Sequence, residues 1–208
     1  MRPLYTALSI VPLMTGSMAS GQITQCVPGS ATSSSGVLMA CPQGDGQTLA
    51  SKGLTISIQV LDPTTLQPVA GIPANQIWLV GAHDGLTLCG GSAATHADAA
   101  TDANGRTTFS GALAVGGCDD GLYVVVQGLI LANPNGCDQL IVVPIAVHSV
   151  DINGNGTVNG PDFAQFGVWY QNGVYDACAD FNGDGQDSGP DFSMFAFHYQ
   201  NGNGHHCP

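Results

Sequence analysis

The chain has 208 residues, 44% of them hydrophobic, which suffices for one ordinary domain with an appendage or for two small domains. Three basic residues (Arg2, Lys52, Arg106) face fifteen acids, and the formal charge of -12 argues against a nucleic-acid binder, since no basic patch is present to neutralise phosphates. All fifteen acids are Asp, a turn and metal-loop residue that forms helices poorly, so the composition predicts a loop-rich β protein with oxygen-donor sites.

The first residues read as an export signal over 1–20: Arg2 supplies the positive end, Leu4 to Met14 the apolar run, and small residues surround Ala19. No later segment reaches the ~18 apolar residues of a membrane span. The expected localisation is therefore secreted, extracellular or at the cell surface, with no transmembrane anchor after cleavage. The seven cysteines (26, 41, 89, 118, 137, 178 and 207) are expected to form disulfides, because no pair has the spacing of a zinc knuckle. Proximity in sequence favours Cys26–Cys41, Cys89–Cys118 and Cys178–Cys207, leaving Cys137 over.

Residues 22–50 are rich in Gly, Ser, Thr and Gln and read as an irregular lead-in with one short strand at 36–41. From Leu54 the pattern changes: Leu54, Ile56, Ile58 and Val60 alternate with Thr55, Ser57 and Gln59, the signature of a half-buried strand. Further strands are predicted at 76–80, 106–113, 122–127 and 139–148, separated by turn signals such as His83-Asp84-Gly85, Asn104-Gly105 and Asp119-Asp120-Gly121. Short strands at this spacing predict an antiparallel β-sandwich over 21–149. Pro68-Val69-Ala70-Gly71-Ile72-Pro73, then Thr101-Asp102-Ala103-Asn104-Gly105 to Phe109, then Gly121-Leu122-Tyr123-Val124-Val125 follow one another as in bacterial immunoglobulin-like or invasin-type modules. That resemblance implies an immunoglobulin-like sandwich and no particular activity.

Residues 150–208 are different in kind. The 23 residues from Asp151 repeat at an offset of 29, from Asp180, with thirteen identities. Each block opens with a loop of one pattern: Asp151-Ile-Asn153-Gly-Asn155-Gly156-Thr157-Val158-Asn159-Gly-Pro161-Asp162, and Asp180-Phe-Asn182-Gly-Asp184-Gly185-Gln186-Asp187-Ser188-Gly-Pro190-Asp191. Calcium takes six to eight oxygens, and an EF-type loop supplies them from positions 1, 3, 5, 7 (a carbonyl), 9 and 12, with Gly at 6 for the sharp turn. Both loops have oxygen-bearing side chains at 1, 3, 5, 9 and 12 and Gly at 6. After each loop a helix is expected, with Phe163, Phe166 and Tyr170, then Phe192, Phe195 and Tyr199, on one face to pack against the other repeat, and Trp169 beside it.

This arrangement resembles a type I dockerin, the paired module that docks on cohesins in polysaccharide-degrading assemblies. The resemblance implies two Ca2+. One is held by Asp151, Asn153, Asn155, Thr157 (carbonyl), Asn159 and Asp162, the other by Asp180, Asn182, Asp184, Gln186 (carbonyl), Ser188 and Asp191. There are three departures from the family pattern: Asp187 stands where an apolar residue is usual, Gly-Pro replaces the docking pair at 160–161 and 189–190, and no Lys or Arg lies on either helix. Loop 1 carries two formal carboxylates and loop 2 three, so loop 2 is expected to bind first. Loss of calcium is expected to unfold the C-terminal module.

No G-x-S-x-G elbow occurs, and Asp119-Asp120 reads as a hairpin turn rather than an acid/base pair. His205-His206-Cys207 reads as a solvated tail. The function expected is a non-enzymatic calcium-binding protein with a structural, adhesive or protein-docking role, its partner a cohesin-like or surface protein or a second copy. The alternative is a cohesin-docked accessory, carbohydrate-binding component of a polysaccharide-degrading complex.

Overall fold

The computed structural model describes residues 25–173, 175–201 and 206–207, so the expected export signal lies outside the described residues. Eleven strands precede two helices: β1 (Val27–Ser33), β2 (Gly36–Ala40), β3 (Ile56–Val60), β4 (Ile77–Gly81), β5 (Leu86–Leu88), β6 (Arg106–Phe109), β7 (Val115–Asp119), β8 (Leu122–Val126), β9 (Leu129–Ala132), β10 (Val142–Val143), β11 (Ile145–Ser149), α1 (Gly160–Asn172) and α2 (Gly189–Asn201). The protein is mainly β. One sheet runs β10-β8-β9-β1-β3-β6 with β4 on the other edge of β8, and a second runs β2-β11-β7-β5.

Strands with clear period-2 alternation behave as expected. In β3, Ile56, Ile58 and Val60 are each 1% exposed while Ser57 and Gln59 face outward. In β4, Ile77 and Leu79 are fully buried. These side chains meet Leu38 and Ala40 of β2, Val115 of β7, and Ile145 and Val147 of β11, so residues of both sheets share one apolar core. No helix among the described residues is long and apolar enough to cross a membrane.

Four expectations are corrected. The lead-in contains a full strand, β1, whose Val-Pro-Gly-Ser-Ala-Thr-Ser has no apolar alternation and is held by its ladder to β3. A Cβ at Gly29 would collide with the Gln59 carbonyl, so glycine is what lets these two backbones approach. The sheets are not purely antiparallel, since β1 pairs in parallel with β9 and β2 with β11. The chain changes sheet at Ser34-Ser35, and its first strands close onto its last. The expected strand at 139–148 is broken at Pro144, which has no N–H for a ladder, and its halves join different sheets as β10 and β11. Likewise Asp119-Asp120 links β7 and β8, which belong to different sheets, and so is no hairpin.

The disulfides are Cys26–Cys137, Cys89–Cys207 and Cys118–Cys178, with Cys41 outside them and buried. All three proximity pairings are wrong because topology, not separation along the chain, sets which cysteines meet. Cys26 precedes β1, and the β1–β9 pairing brings it to the loop after β9 that holds Cys137. The bridges span 111, 118 and 60 residues. In the chain-entropy account, loops of this size stabilise by on the order of 4 kcal/mol each.

Asp119, at the end of β7, is 4% exposed. Its carboxylate accepts the N–H groups of His83 (2.9 Å), Gly85 (3.0 Å) and Gly121 (3.1 Å), and lies 3.1 Å from His83 Nδ1. Burial opposes ionisation, but the N–H donors outweigh it and hold the carboxyl below its ordinary value of 3.8. A lowered folded value means that its stabilisation is complete above pH 3.8 and is lost as pH falls through the folded value. Asp119→Asn leaves N–H donors without acceptors and should lower unfolding free energy by about 2–3 kcal/mol at neutral pH. Urea denaturation at pH 7 and pH 3 checks this, the gap from wild type narrowing at the lower pH.

Candidate metal-binding loops

Loop 1 starts two residues after β11, and loop 2 follows α1 and leads into α2. Each is wound around its first and last carboxylates. In loop 1, Asp151 Oδ1 accepts from Asn155 N–H (3.2 Å) and Oδ2 from Gly156 N–H (2.7 Å). Asp162 Oδ1 accepts from Asn153 N–H (3.1 Å) and Oδ2 from Asn159 N–H (2.9 Å). In loop 2 the same bonds recur 29 residues on. Asp180 accepts from Asp184 N–H (3.1 Å) and Gly185 N–H (2.8 Å), and Asp191 from Asn182 N–H (3.1 Å) and Ser188 N–H (3.0 Å). The side chains at positions 3 and 5 also match: Asn153 and Asn182 accept from the N–H of position 5, and Asn155 and Asp184 from that of position 7. Gly156 and Gly185 stand at φ 85° and 84°, the left-handed region that position 6 requires.

The four end carboxylates are buried: Asp151, Asp162 and Asp191 are 0% exposed and Asp180 is 2%. Burial, with the charge of Asp162 nearby, pushes the Asp151 carboxyl above its ordinary range. In loop 2, carboxylate oxygens of Asp180, Asp184 and Asp191 lie within 4.8 Å of one another. Asn159 is set toward the Asp162 N–H in capping-box fashion, yet its Oδ1 makes no full hydrogen bond and is buried. Carboxylate, amide and hydroxyl oxygens make up the side-chain donors, with a buried amide oxygen left over in loop 1. That donor set suits a hard cation and can hold one. Thr157 and Gln186, expected to contribute carbonyls, occupy equivalent turns; Gln186 is exposed and Thr157 half-buried.

Asp162 and Asp191 both belong to the first turn of a helix, behind Pro161 and Pro190, whose missing N–H groups have no intrahelical partner to lose. The helices pack through Phe166 and Phe195, 1% and 0% exposed, with ring centroids 5.2 Å apart. Around them Phe163 stacks on Tyr199 at 5.5 Å, and its counterpart Phe192 on Tyr170 at 5.8 Å. The duplication is thus an approximate two-fold in space. Phe163, Phe192, Tyr170 and Tyr199 remain 38–45% exposed, however, so only the centre of the expected apolar face is covered. Trp169 packs against this second core, as do Met39 and Cys41 from the sandwich segment. Asp187 does not fill the apolar role of its counterpart Val158. Its Oδ2 accepts from Asp176 N–H at 2.8 Å, and burial raises its carboxyl pKa.

Several residues that position the loops were not recognised from the sequence. Gly117 N–H donates to the Asp151 carbonyl at 2.7 Å, and a Cβ at Gly116 would overlap Asp151 Oδ2. His148 Nδ1 lies 2.8 Å from the Asp180 carbonyl, and Lys52 Nζ reaches the Asn182 carbonyl at 3.5 Å. The chain end is also not simply a solvated tail: Cys207 N–H donates to the Gly156 carbonyl at 2.7 Å while Cys207 is bridged to Cys89. These contacts join distant segments, and no local spacing announces them.

Gly116→Ala must push the Asp151 carboxylate from its place and should lower stability by about 1–3 kcal/mol. Amide exchange should quicken at Asn155 and Gly156 while Asp184 and Gly185 keep wild-type rates. Comparison with known proteins finds no matching protein family, curated protein or solved structure.

Proposed function

We propose that the chain is a secreted, non-enzymatic calcium-binding protein in which two Ca2+ rigidify a dockerin-like C-terminal module that presents a protein-docking face. The observation that carries the reading is the hydrogen-bond frame repeated at an offset of 29, which turns buried carboxylates inward in both loops with no Lys or Arg in the repeat to balance them. A hard divalent cation offsets that charge and matches the oxygen donors. Three disulfides fit an oxidising, extracellular setting.

The partly uncovered aromatics of α1 and α2 favour docking of a protein, whether a cohesin-like or surface partner or a second copy. They do so over the alternative of an accessory carbohydrate-binding component. In the sheets Trp78 and Tyr123 are half-buried and Phe109 is 3% exposed, which leaves no row of aromatic platforms for a sugar chain. Gly160, Pro161, Gly189 and Pro190 are exposed beside that helical face, so a partner meets backbone and proline there rather than hydroxyls.

Calorimetric titration with Ca2+ should resolve two events, with dissociation constants of roughly 10⁻⁴–10⁻³ M. Asp184→Asn should weaken the tighter event and Asp151→Asn the weaker one. Equal losses on both would overturn the assignment of the tighter site to loop 2, and no binding heat at all would overturn the calcium reading. Chelator should reduce the helical circular-dichroism signal while the β signal persists, because the sheet core is separate from the core between the helices. A spectrum indifferent to chelator would count against a structural ion.

A further inference from the structure

Cys41, just after β2, Asp45, in the turn that follows, and His198, on α2, come together although 157 positions separate the first from the last. One donor atom from each, a sulfur, a carboxylate oxygen and an imidazole nitrogen, lies within 4.8 Å of the other two. Cys41 is 0% and His198 5% exposed, whereas Asp45 stands at the surface. Beside them opens a cleft of about 290 Å³ lined by Met39, Gln47, Ser193, Met194, Phe197 and His198.

We propose that Cys41, Asp45 and His198 are three ligands of a second kind of metal site, one for a borderline-soft divalent cation of the zinc type. This inference does not depend on the calcium reading. Thiolate and imidazole are donors that hard cations leave to zinc and its neighbours, so the two kinds of site sort metals by donor chemistry. Tetrahedral bonds of the usual length place donors roughly 3.3–3.8 Å apart, so the group needs to close by at most about 1.5 Å. Three protein ligands leave a fourth position, and the cleft that reaches His198 lets water or a small ligand fill it.

A Cys-His-Asp group can also be a nucleophile with its base, but Cys41 is 0% exposed, which leaves its sulfur out of reach of a substrate. Burial, and then a hydrogen bond to Asp45, push the Cys41 thiol far above its ordinary range. A nucleophilic cysteine needs the opposite shift. A bound cation reverses the situation: the thiol proton leaves to solvent, and the sulfur becomes a ligand.

The test uses the full, unreduced chain under argon in saturating Ca2+, titrated with Co2+ as the spectroscopic substitute for Zn2+. One equivalent should bind, with a thiolate-to-cobalt charge-transfer band and the visible bands of a tetrahedral site, all removed by adding Zn2+. His198→Gln and Asp45→Asn should each weaken binding at least about tenfold, the low end for losing even a supporting partner of a ligand. Cys41→Ser should abolish the charge-transfer band. Where that buried substitution prevents folding, Asp45→Asn, at an exposed position, carries the test. Cobalt bound without a thiolate band, or with an affinity unchanged in Asp45→Asn and His198→Gln, overturns the proposal.

Discussion

Four carboxylates taken out of water within two short loops are the constraint on which the C-terminal third of the molecule depends. An isolated buried carboxylate costs several kcal/mol even after relaxation, and Asp151, Asp162, Asp180 and Asp191 are all but inaccessible. No Lys or Arg follows Arg106 in the chain. Lys52 reaches in from the sandwich segment but bonds the Asn182 carbonyl rather than a carboxylate. The backbone supplies the compensation instead. Glycines and Asx turns aim successive N–H groups at the carboxylate oxygens, two of them at Asp180 Oδ1 alone. What the N–H groups cannot remove is the repulsion between the carboxylates of one loop. That residue of unfavourable energy is the physical reason for reading the loops as cation sites rather than as ornate turns.

The sandwich is the wall against which the loops are cast. Gly116 and Gly117 of β7 give loop 1 room and a donor, Val37 of β2 meets the backbone at Gly183 in loop 2, and His148 of β11 tethers the Asp180 carbonyl. Cys118–Cys178 fixes the segment just before loop 2 to β7, and Cys89–Cys207 brings the chain end back beside Gly156. Loops braced on both sides start nearer to their bound shape than loops in a small module alone. Less conformational entropy is then lost when an ion binds. A helix pair whose core has Phe166, Phe181 and Phe195 as its large fully buried side chains among the described residues needs that bracing.

What could be read from the sequence was whatever repeats locally. Asp, Asn and Gly at alternate positions identified both loops, and the alternation of Leu54 to Val60 identified β3. β1, β5, β7 and β9 carry no local period that marks them as strands. Val27–Ser33 is polar and Gly-containing, Leu86–Leu88 is too short to show a period, and Val115–Asp119 carries Gly116 and Gly117 where side chains would alternate. The strand character of β1, β5 and β7 comes from partners far away in the chain, whereas β9 is a short apolar run that returns on β8 beside it. The disulfides follow those same long-range pairings, which is why nearness in sequence misassigned every bridge. The Cys41, Asp45 and His198 group is the extreme case: its residue types are ordinary, and only the docking of α2 against the end of β2 makes a constellation of them.

That docking also relates the two kinds of site. Asp191 lies in the first turn of α2 and His198 seven residues later, two turns on and on the same buried side of the helix. Whatever orders loop 2 fixes the start of α2, and a rigid helix carries that order about 10 Å to the imidazole. Phe195, between them, packs in the same apolar cluster as Cys41, so movement of the helix disturbs both partners of the thiol–imidazole pair. A cation held by Asp191 and one held by His198 would therefore stabilise the same placement of α2, and each would raise the affinity of the other by an equal factor. Oxygen donors at one end of the helix and sulfur and nitrogen donors near the other would keep two such metals from competing while the helix coupled them.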